Sequence, residues 1–413
     1  MVMDLSSKDN LLEGKAKWTT DALEALKLTF IHNINDLESA PRYQPGFVYQ
    51  HFGENETIFG YEDLEVTVNY TDVSLYIYPE VRYKLKYKGD EDLKADDIVQ
   101  LLKEQLPNDQ LNMLVESKAE FHNHLIKQKA FKPFGELIRK YEGNGQKFEV
   151  FKITEGSPEF DAYLARAQTL ALWYIEAAQY TDQSDEAWMH YFVYEVCDNG
   201  EGDGSKYRKF AGYSSIYRYY AYPDKIRPKI AQLLLLPKYR SAGNGARLLQ
   251  SIYQDLWATP KVLDIAVEDP GDLFQLLRDY VDCMNCLSLT EFSPQHLKEG
   301  FTENMRIAAK EKFKIIKTQA RRVYEILRYR SLNKNDEAEV KAYRLNVKNR
   351  IYAPQKKSEK DWKRMHAALD KEEALKAAAS EIEIFEHLAK EYEAHVEIYQ
   401  KVVDRLEKYP SIY

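Results

Sequence analysis

The sequence predicts an α/β protein with a mixed α/β amino-terminal domain, a central α/β core and a helical carboxy-terminal domain. Three observations carry this. Runs of β-branched and aromatic residues alternate with helical patterns over the first 280 positions. An apolar run, Leu233-Leu234-Leu235-Leu236, leads through a glycine turn into a second apolar pattern of helical spacing. After about residue 300, glycine and strand signals give way to long helical patterns with a heptad repeat.

In chain order, Asp21 is placed to cap a helix carrying Leu23, Leu26, Leu28 and Ile31. Strands are expected at 65–70, 73–78 and 81–87, and helices at about 95–105 and 108–126. Lys132-Pro133-Phe134-Gly135 marks a turn, and Gly143-Asn144-Gly145 a boundary, giving a first domain of 1–145. A second domain, 146–285, opens with a strand at 148–153. Ser157 then caps a helix that has Pro158 at its first position and runs to about 180. Strands at 189–196 and 210–222 flank a polar loop at 198–204. A strand at 230–236, the glycine turn, its helix, a strand at 262–267 and a helix around 273–281 complete the domain.

The third domain, 286–413, starts with a basic helix, 305–330, bearing nine lysines and arginines against Glu311 and Glu325. Farther on, Leu375, Ile382, Ala389, Val396 and Val403 repeat every seven residues, as do Ala378, Phe385, Tyr392, Tyr399 and Leu406. Two readings stay open: the acidic and basic helices pack on each other, or the basic helix meets nucleic acid and the heptads a partner helix.

At 413 residues the chain has room for two or three cores. Its net charge of −8 argues against general nucleic-acid binding and suits a basic partner. Three cysteines are too few for a disulfide framework. Cys283-x-x-Cys286 lacks a second pair or a nearby histidine, so a buried structural role is expected and no metal site. No apolar run is long enough to span a membrane, and the amino terminus shows no signal-peptide pattern.

Gly243 and Gly245 stand where helix-start N–H groups lack acceptors. Such a turn is either an ordinary strand-to-helix connection or an anion cradle. A P-loop requires a following lysine that is absent. The dinucleotide fingerprint requires a small residue where Leu248 stands. Arg240-Ser241-Ala242-Gly243-Asn244-Gly245 instead fits [RQ]-x-x-G-x-[GA], and so resembles the acetyl-coenzyme-A pyrophosphate loop of the GNAT acetyltransferase superfamily. If it is one, backbone N–H groups of Leu233 to Leu235 hold the thioester carbonyl as charge grows on it.

The acceptor must lose a proton, since a lysine ammonium has a pKa of ~10.4. Candidate acids end the next strand, at Glu268 and Asp269, which alternation sends to opposite faces. Asp264 lies deeper. No Ser/His/Asp or Cys/His set competes; His190, on a strand among aromatics, reads as structural.

Four stretches together resemble the type B histone acetyltransferase family: 52–61 (FGENETIFGY), 131–135 (FKPFG), 219–228 (YYAYPDKIRP) and 267–270 (VEDP). That resemblance implies a GNAT core and acetylation, from acetyl-coenzyme A, of lysines in the tail of newly made histone H4. It also implies a WD-repeat histone-binding chaperone as partner, and residence in nucleus and cytoplasm. Carried over, Glu268 matches the general base, with Asp269 and Glu176 as further acids near the substrate lysine. Leu233, Leu234, Leu235, Arg240, Ser241, Ala242, Gly243, Asn244, Gly245, Ala246 and Phe274 match cofactor contacts. Asn55, Glu56, Thr57, Trp188, Tyr217, Arg218 and Tyr219 match tail contacts. Ser241-Ala242 departs from a Gly-x pair common in this loop. Glu54, Glu56, Glu62 and Asp63, and the acids before Trp188, independently suit a basic tail. Acetylation of another protein or amine, or a non-catalytic histone-binding scaffold, are the alternatives.

Overall fold

The computed structural model describes residues 17–88, 93–198, 206–353 and 371–412, and the side chains of all of these except 371–383. Most of the expected polar loop, from Asn199 on, and the heptad side chains of Leu375, Ala378 and Ile382 lie outside the described residues. The chain forms two compact units, Met1–Tyr219 with Lys229–Asn244, and Tyr220–Pro228 with Gly245–Tyr413.

The first unit opens with β1 (Thr19–Asp21) and a single helical turn, α1 (Ala22–Ala25), where the Asp21 carboxylate accepts from the Glu24 N–H at 3.0 Å. The cap is as expected, but the helix is not. Leu26–Ile31 is a strand, β2. After β3 (Thr57–Phe59) come β4 (Glu65–Thr71) and β5 (Ile77–Arg82). β2 lies parallel to β4, which pairs antiparallel with β5. Leu26, Leu28, Thr29 and Ile31 are buried, and Thr29 donates to Asn69 Oδ1 at 2.6 Å. A strand slot beside β4 thus overrides a short helical spacing, Leu23 to Ile31. The expected helix at 108–126 is also shorter, with α2 at Lys118–Lys127 preceded by one 3₁₀ turn at Leu111–Met113.

Next come β6 (Glu136–Gly143), β7 (Gln146–Ile153), α3 (Pro158–Tyr174), β8 (Trp188–Asp198), β9 (Lys206–Ala221) and β10 (Lys225–Leu235), the last two each having residues in both units. Within the first unit the strands lie in the order β10-β9-β8-β7-β6. Gly143 pairs with Gln146, so the position expected as a domain boundary is the turn of a hairpin. Ser157 caps α3 and Pro158 is at its start, as expected. α3 ends earlier, at Tyr174, and is buried along most of its length.

Trp173 donates to Tyr70 Oη at 2.9 Å and stacks on His51 with ring centroids 3.7 Å apart. Such burial contributes roughly 1.5–3 kcal/mol per large side chain. Asp72, 5% exposed, receives Lys209 Nζ at 3.1 Å, Gln128 Nε2 at 3.1 Å and His32 Nδ1 at 3.0 Å. A buried carboxylate survives because it is so surrounded. The Phe210 N–H donates to the Asp72 carbonyl at 2.9 Å, tying the smaller sheet to β9.

The second unit contains most of α4 (Asn244–Trp257), β11 (Ala266–Val267), α5 (Asp272–Cys286), α6 (Glu303–Phe313), α7 (Lys317–Arg330), α8 (Glu337–Tyr352) and α9 (Lys371–Lys408). The strand expected at 262–267 is ladder-paired only at its end, with isolated bridges from Val262 to Ile226 and from Ile265 to Ile315. The basic helix expected at 305–330 is two helices, α6 and α7. Lys314 takes φ 57° between them, and its carbonyl accepts the Ile265 N–H at 2.8 Å.

α9 packs on α5, α7 and α8, with Leu388, Tyr399, Val403 and Leu406 buried. Acid meets base between helices. Glu325 of α7, fully buried, is gripped by Arg321 and by Arg350 of α8, and Tyr399 of α9 donates to it at 2.8 Å. Cys283 and Cys286 are fully buried, which pushes both thiols well above their usual range.

Candidate functional site

β10 delivers the apolar run. Leu234 and Leu235 are buried and Leu233 is half-buried. The backbone of Gly212 on β9 comes so close that a Cβ there would lie 2.2 Å from the Leu234 carbonyl oxygen. A 3₁₀ turn at Pro237–Tyr239 follows, and then the loop.

Arg240 folds back. Its Nε donates to the Leu235 carbonyl at 2.8 Å, and its guanidinium lies 4.4 Å from the centre of the Tyr174 ring. Ser241 and Gly243 adopt left-handed backbone, φ 61° and 80°. Asn244 Nδ2 donates to the Tyr239 carbonyl at 3.1 Å, while its buried Oδ1 has no partner among the described residues. α4 starts at Asn244, with no acidic residue in its first turn. The N–H groups of Asn244, Gly245 and Ala246 therefore lack acceptors within the helix. With the helix dipole they make this turn suited to an anion. Its donors are main-chain atoms, so Ser241 and Ala242 keep them.

Glu268 and Asp269 follow β11 directly and are both exposed. They stand in a bend, and Asp269 has φ 30°, so strand alternation does not set their directions. Asp264 is already engaged: Arg227 grips both its oxygens, one at 2.9 Å. Phe274 is in the first turn of α5, half-buried. Glu176 is exposed just past α3, beside Ala177, whose N–H donates to Tyr49 Oη at 2.7 Å.

The tail candidates fall into two groups. Trp188 and Tyr217 are register partners on β8 and β9, their rings 5.0 Å apart edge-on, and Tyr219 lies 4.6 Å from Tyr217. Tyr217 donates to Asp185 at 2.8 Å, and Arg218 to the carbonyls of Ala187 and Glu186. Arg218 thereby fixes the segment that carries the acids. Asn55, Glu56 and Thr57 belong to the turn into β3, which pairs with β1. Glu56 has φ 51°, and its carbonyl accepts the Ala22 N–H at 2.8 Å.

Beside Trp188 the first unit holds a cavity of about 540 Å³. Four carboxylates line it, Glu155, Asp161, Asp185 and Glu186, together with Phe160, Trp188 and His190. Burial pushes the Asp161 carboxyl up, with Glu159 adding to the effect, and holds His190 down at about 3, hence neutral. Negative charge over aromatic walls suits a cationic side chain. Sequence reasoning found Asp185, Glu186 and Trp188 but missed Glu155 and Asp161. Those two come from the β7–α3 corner, and no local spacing links them to Trp188.

Residues 18–176 match the family described as "Histone acetyl transferase HAT1 N-terminus", and residues 278–329 that described as "Histone acetyltransferase type B catalytic subunit, C-terminal". Proteins named histone acetyltransferase type B catalytic subunit from Rattus norvegicus and Homo sapiens are each 35% identical over 402 residues, covering 95% of this chain and 94% of theirs. One of the same name from Cryptococcus neoformans is 28% identical over 383 residues, covering 83% of this chain and 91% of its own.

Proposed function

The chain belongs to the histone acetyltransferase type B catalytic subunit family and is a histone lysine N-acetyltransferase, and from that premise we propose how it works. Acetyl passes from acetyl-coenzyme A to lysines in the amino-terminal tail of newly made histone H4, by direct attack within a GNAT core. Residues 1–145 share substrate binding with 146–285, which also take the coenzyme and the chemistry, and 286–413 form a helical domain; the first division is one of role, since a single hairpin joins its two sides.

The observation that carries the reading is the 240–246 turn, with left-handed backbone at Ser241 and Gly243 and a helix start free of acids. The coenzyme's diphosphate takes the main-chain donors of that turn, while Arg240 braces the loop against β10. The amides of Leu233 to Leu235 receive the oxygen on which charge develops. Glu268 accepts a proton from the lysine ammonium, directly or through one water, and the freed amine attacks the thioester carbon. The C–S bond then breaks, coenzyme A leaves as its thiolate and takes up a proton, and Asp269 and Glu176 add negative field around the lysine. Phe274 lies along the coenzyme. Asn55 to Thr57 and the Trp188–Tyr219 group hold the tail, and the acidic cavity beside Trp188 takes a basic side chain other than the one that reacts. A WD-repeat chaperone presenting the histone, and residence in nucleus and cytoplasm, belong to the same reading.

The test is Glu268→Gln, assayed on an H4 tail peptide. Turnover at neutral pH drops by about 10²–10⁴-fold, the usual contribution of a positioned base, while coenzyme binding persists. Unchanged turnover removes Glu268 from the role. Equal turnover on H4 peptide and on a polyamine removes the histone tail as the preferred acceptor.

A further inference from the structure

The second unit contains a cavity of about 610 Å³ that the acetyl-transfer reading does not use. It is lined by the start of α7, by Asn346, Asn349 and Arg350 of α8, by Tyr399 of α9 and by Phe301. Four cations face it: Lys317, Arg321, Arg322 and Arg350. Two buried carboxylates stand behind them, Glu325 and Asp279, both fully buried.

Those carboxylates are heavily engaged. Glu325 Oε1 accepts Arg321 Nε at 2.9 Å and Arg350 Nε at 3.0 Å. Its Oε2 accepts a terminal nitrogen of Arg350 at 3.0 Å and the Tyr399 hydroxyl at 2.8 Å. Asp279 takes Arg322 Nε at 2.7 Å, Gln319 Nε2 at 3.0 Å and Gln275 Nε2 at 2.6 Å. A carboxylate offers about four lone-pair sites and a guanidinium five N–H donors. Three arginines therefore bring far more donors than the two carboxylates can accept. The carboxylates lock the guanidinia in place and leave a net charge near +2, four cations less two anions.

α7 adds to this. Its N-cap, Ile316, makes no side-chain cap, and its first turn holds no acid but begins with Lys317. A cation at the positive end of a helix is unfavourable without an anion nearby. Lys317 and Thr318, both exposed, belong to the cavity wall.

We propose that this cavity binds a compact polyphosphate anion, held by Lys317, Arg321, Arg322 and Arg350 with the amides of Asn346 and Asn349. Fixed guanidinium forks match phosphate oxygens, and the volume suits a small ligand. A nucleobase is disfavoured because the aromatic faces are already covered. Arg321 lies 5.5 Å from the centre of the Phe301 ring, and Arg322 lies 5.4 Å from that of Tyr399.

The test is calorimetric titration of the full chain at physiological salt with inorganic pyrophosphate and with inositol hexakisphosphate. Lys317→Glu is the first variant, because it reverses one wall charge without stripping a partner from Glu325 or Asp279. Its affinity for both probes falls at least tenfold while its melting temperature holds or rises. Asn349→Asp, at an exposed position, is the second variant and weakens binding in the same direction. Lys298→Glu, also exposed and outside the cavity, makes the same change in net charge and alters affinity less than twofold. Equal losses in Lys317→Glu and Lys298→Glu would reduce the effect to general charge and overturn the site. So would the absence of binding by either probe, or binding of duplex DNA where the polyphosphates fail.

Discussion

Ser241 is held at φ 61°, in the left-handed region that costs a residue bearing a Cβ about 1–2 kcal/mol. Glycine is comfortable there but loses more chain entropy on folding. Ser241→Gly is therefore expected to gain about 0.5–1 kcal/mol, read as a raised melting temperature, with coenzyme affinity preserved because the N–H remains. Asp282 carries a second residue-scale consequence. It is 1% exposed and Arg278 Nε stands 3.5 Å away, yet burial pushes its carboxyl up to about 6. The folded chain thus binds a proton that the unfolded chain, near 3.9, releases between these two values. Its contribution is fully present below pH ~4 and is lost as pH rises through about 6. Asp282→Asn should flatten that part of the pH–stability curve, removing about 1–1.5 kcal/mol of the stability difference between urea melts at pH 5 and 7.5. A slope identical to that of the parent protein would dismiss Asp282 as its source.

Among elements, β9 and β10 set the position of the 240–246 loop through the close approach at Gly212. Gly212→Ala puts a methyl 2.2 Å from backbone, which cannot rotate aside. A loss of about 2–3 kcal/mol is expected, with weaker coenzyme binding because Leu234 and Leu235 must shift. Normal coenzyme affinity in a folded Gly212→Ala protein would separate the strand contact from the loop. The central strands and the loop–helix junction were legible because their apolar runs and turn residues are local. Leu26–Ile31 was not, since its partner β4 lies about 40 positions away and a strand slot outweighs a short helical spacing. The break at Lys314 was equally hidden. No glycine or proline marks it; the carbonyl of Lys314 is instead occupied by Ile265, from a distant bend.

For the whole molecule, the net charge of −8 and the acidic cavity beside Trp188 are expected to attract a basic substrate before contact. Such steering is screened over about 8 Å at physiological salt. Raising ionic strength from 50 to 300 mM should lower kcat/KM for an H4 tail peptide severalfold and leave kcat nearly unchanged, because charge guides encounter more than chemistry. A salt-independent kcat/KM would count against the acidic surface as the receiver of the tail.

The sequence alone determined the α/β class, the anion-suited turn at 240–246, the acids after β11 and the resemblance that the comparisons bear out. Each rests on short stretches whose residues lie within a few positions of one another, the resemblance on four of them taken together. Only the tertiary structure assembled Glu155 and Asp161 with Trp188, and Arg350 and Tyr399 around Glu325. It alone turned the heptad helix inward onto its own chain from Leu388 on. Burial and donor counting involve groups far apart along the chain, so their outcome is fixed by packing, which no local pattern encodes.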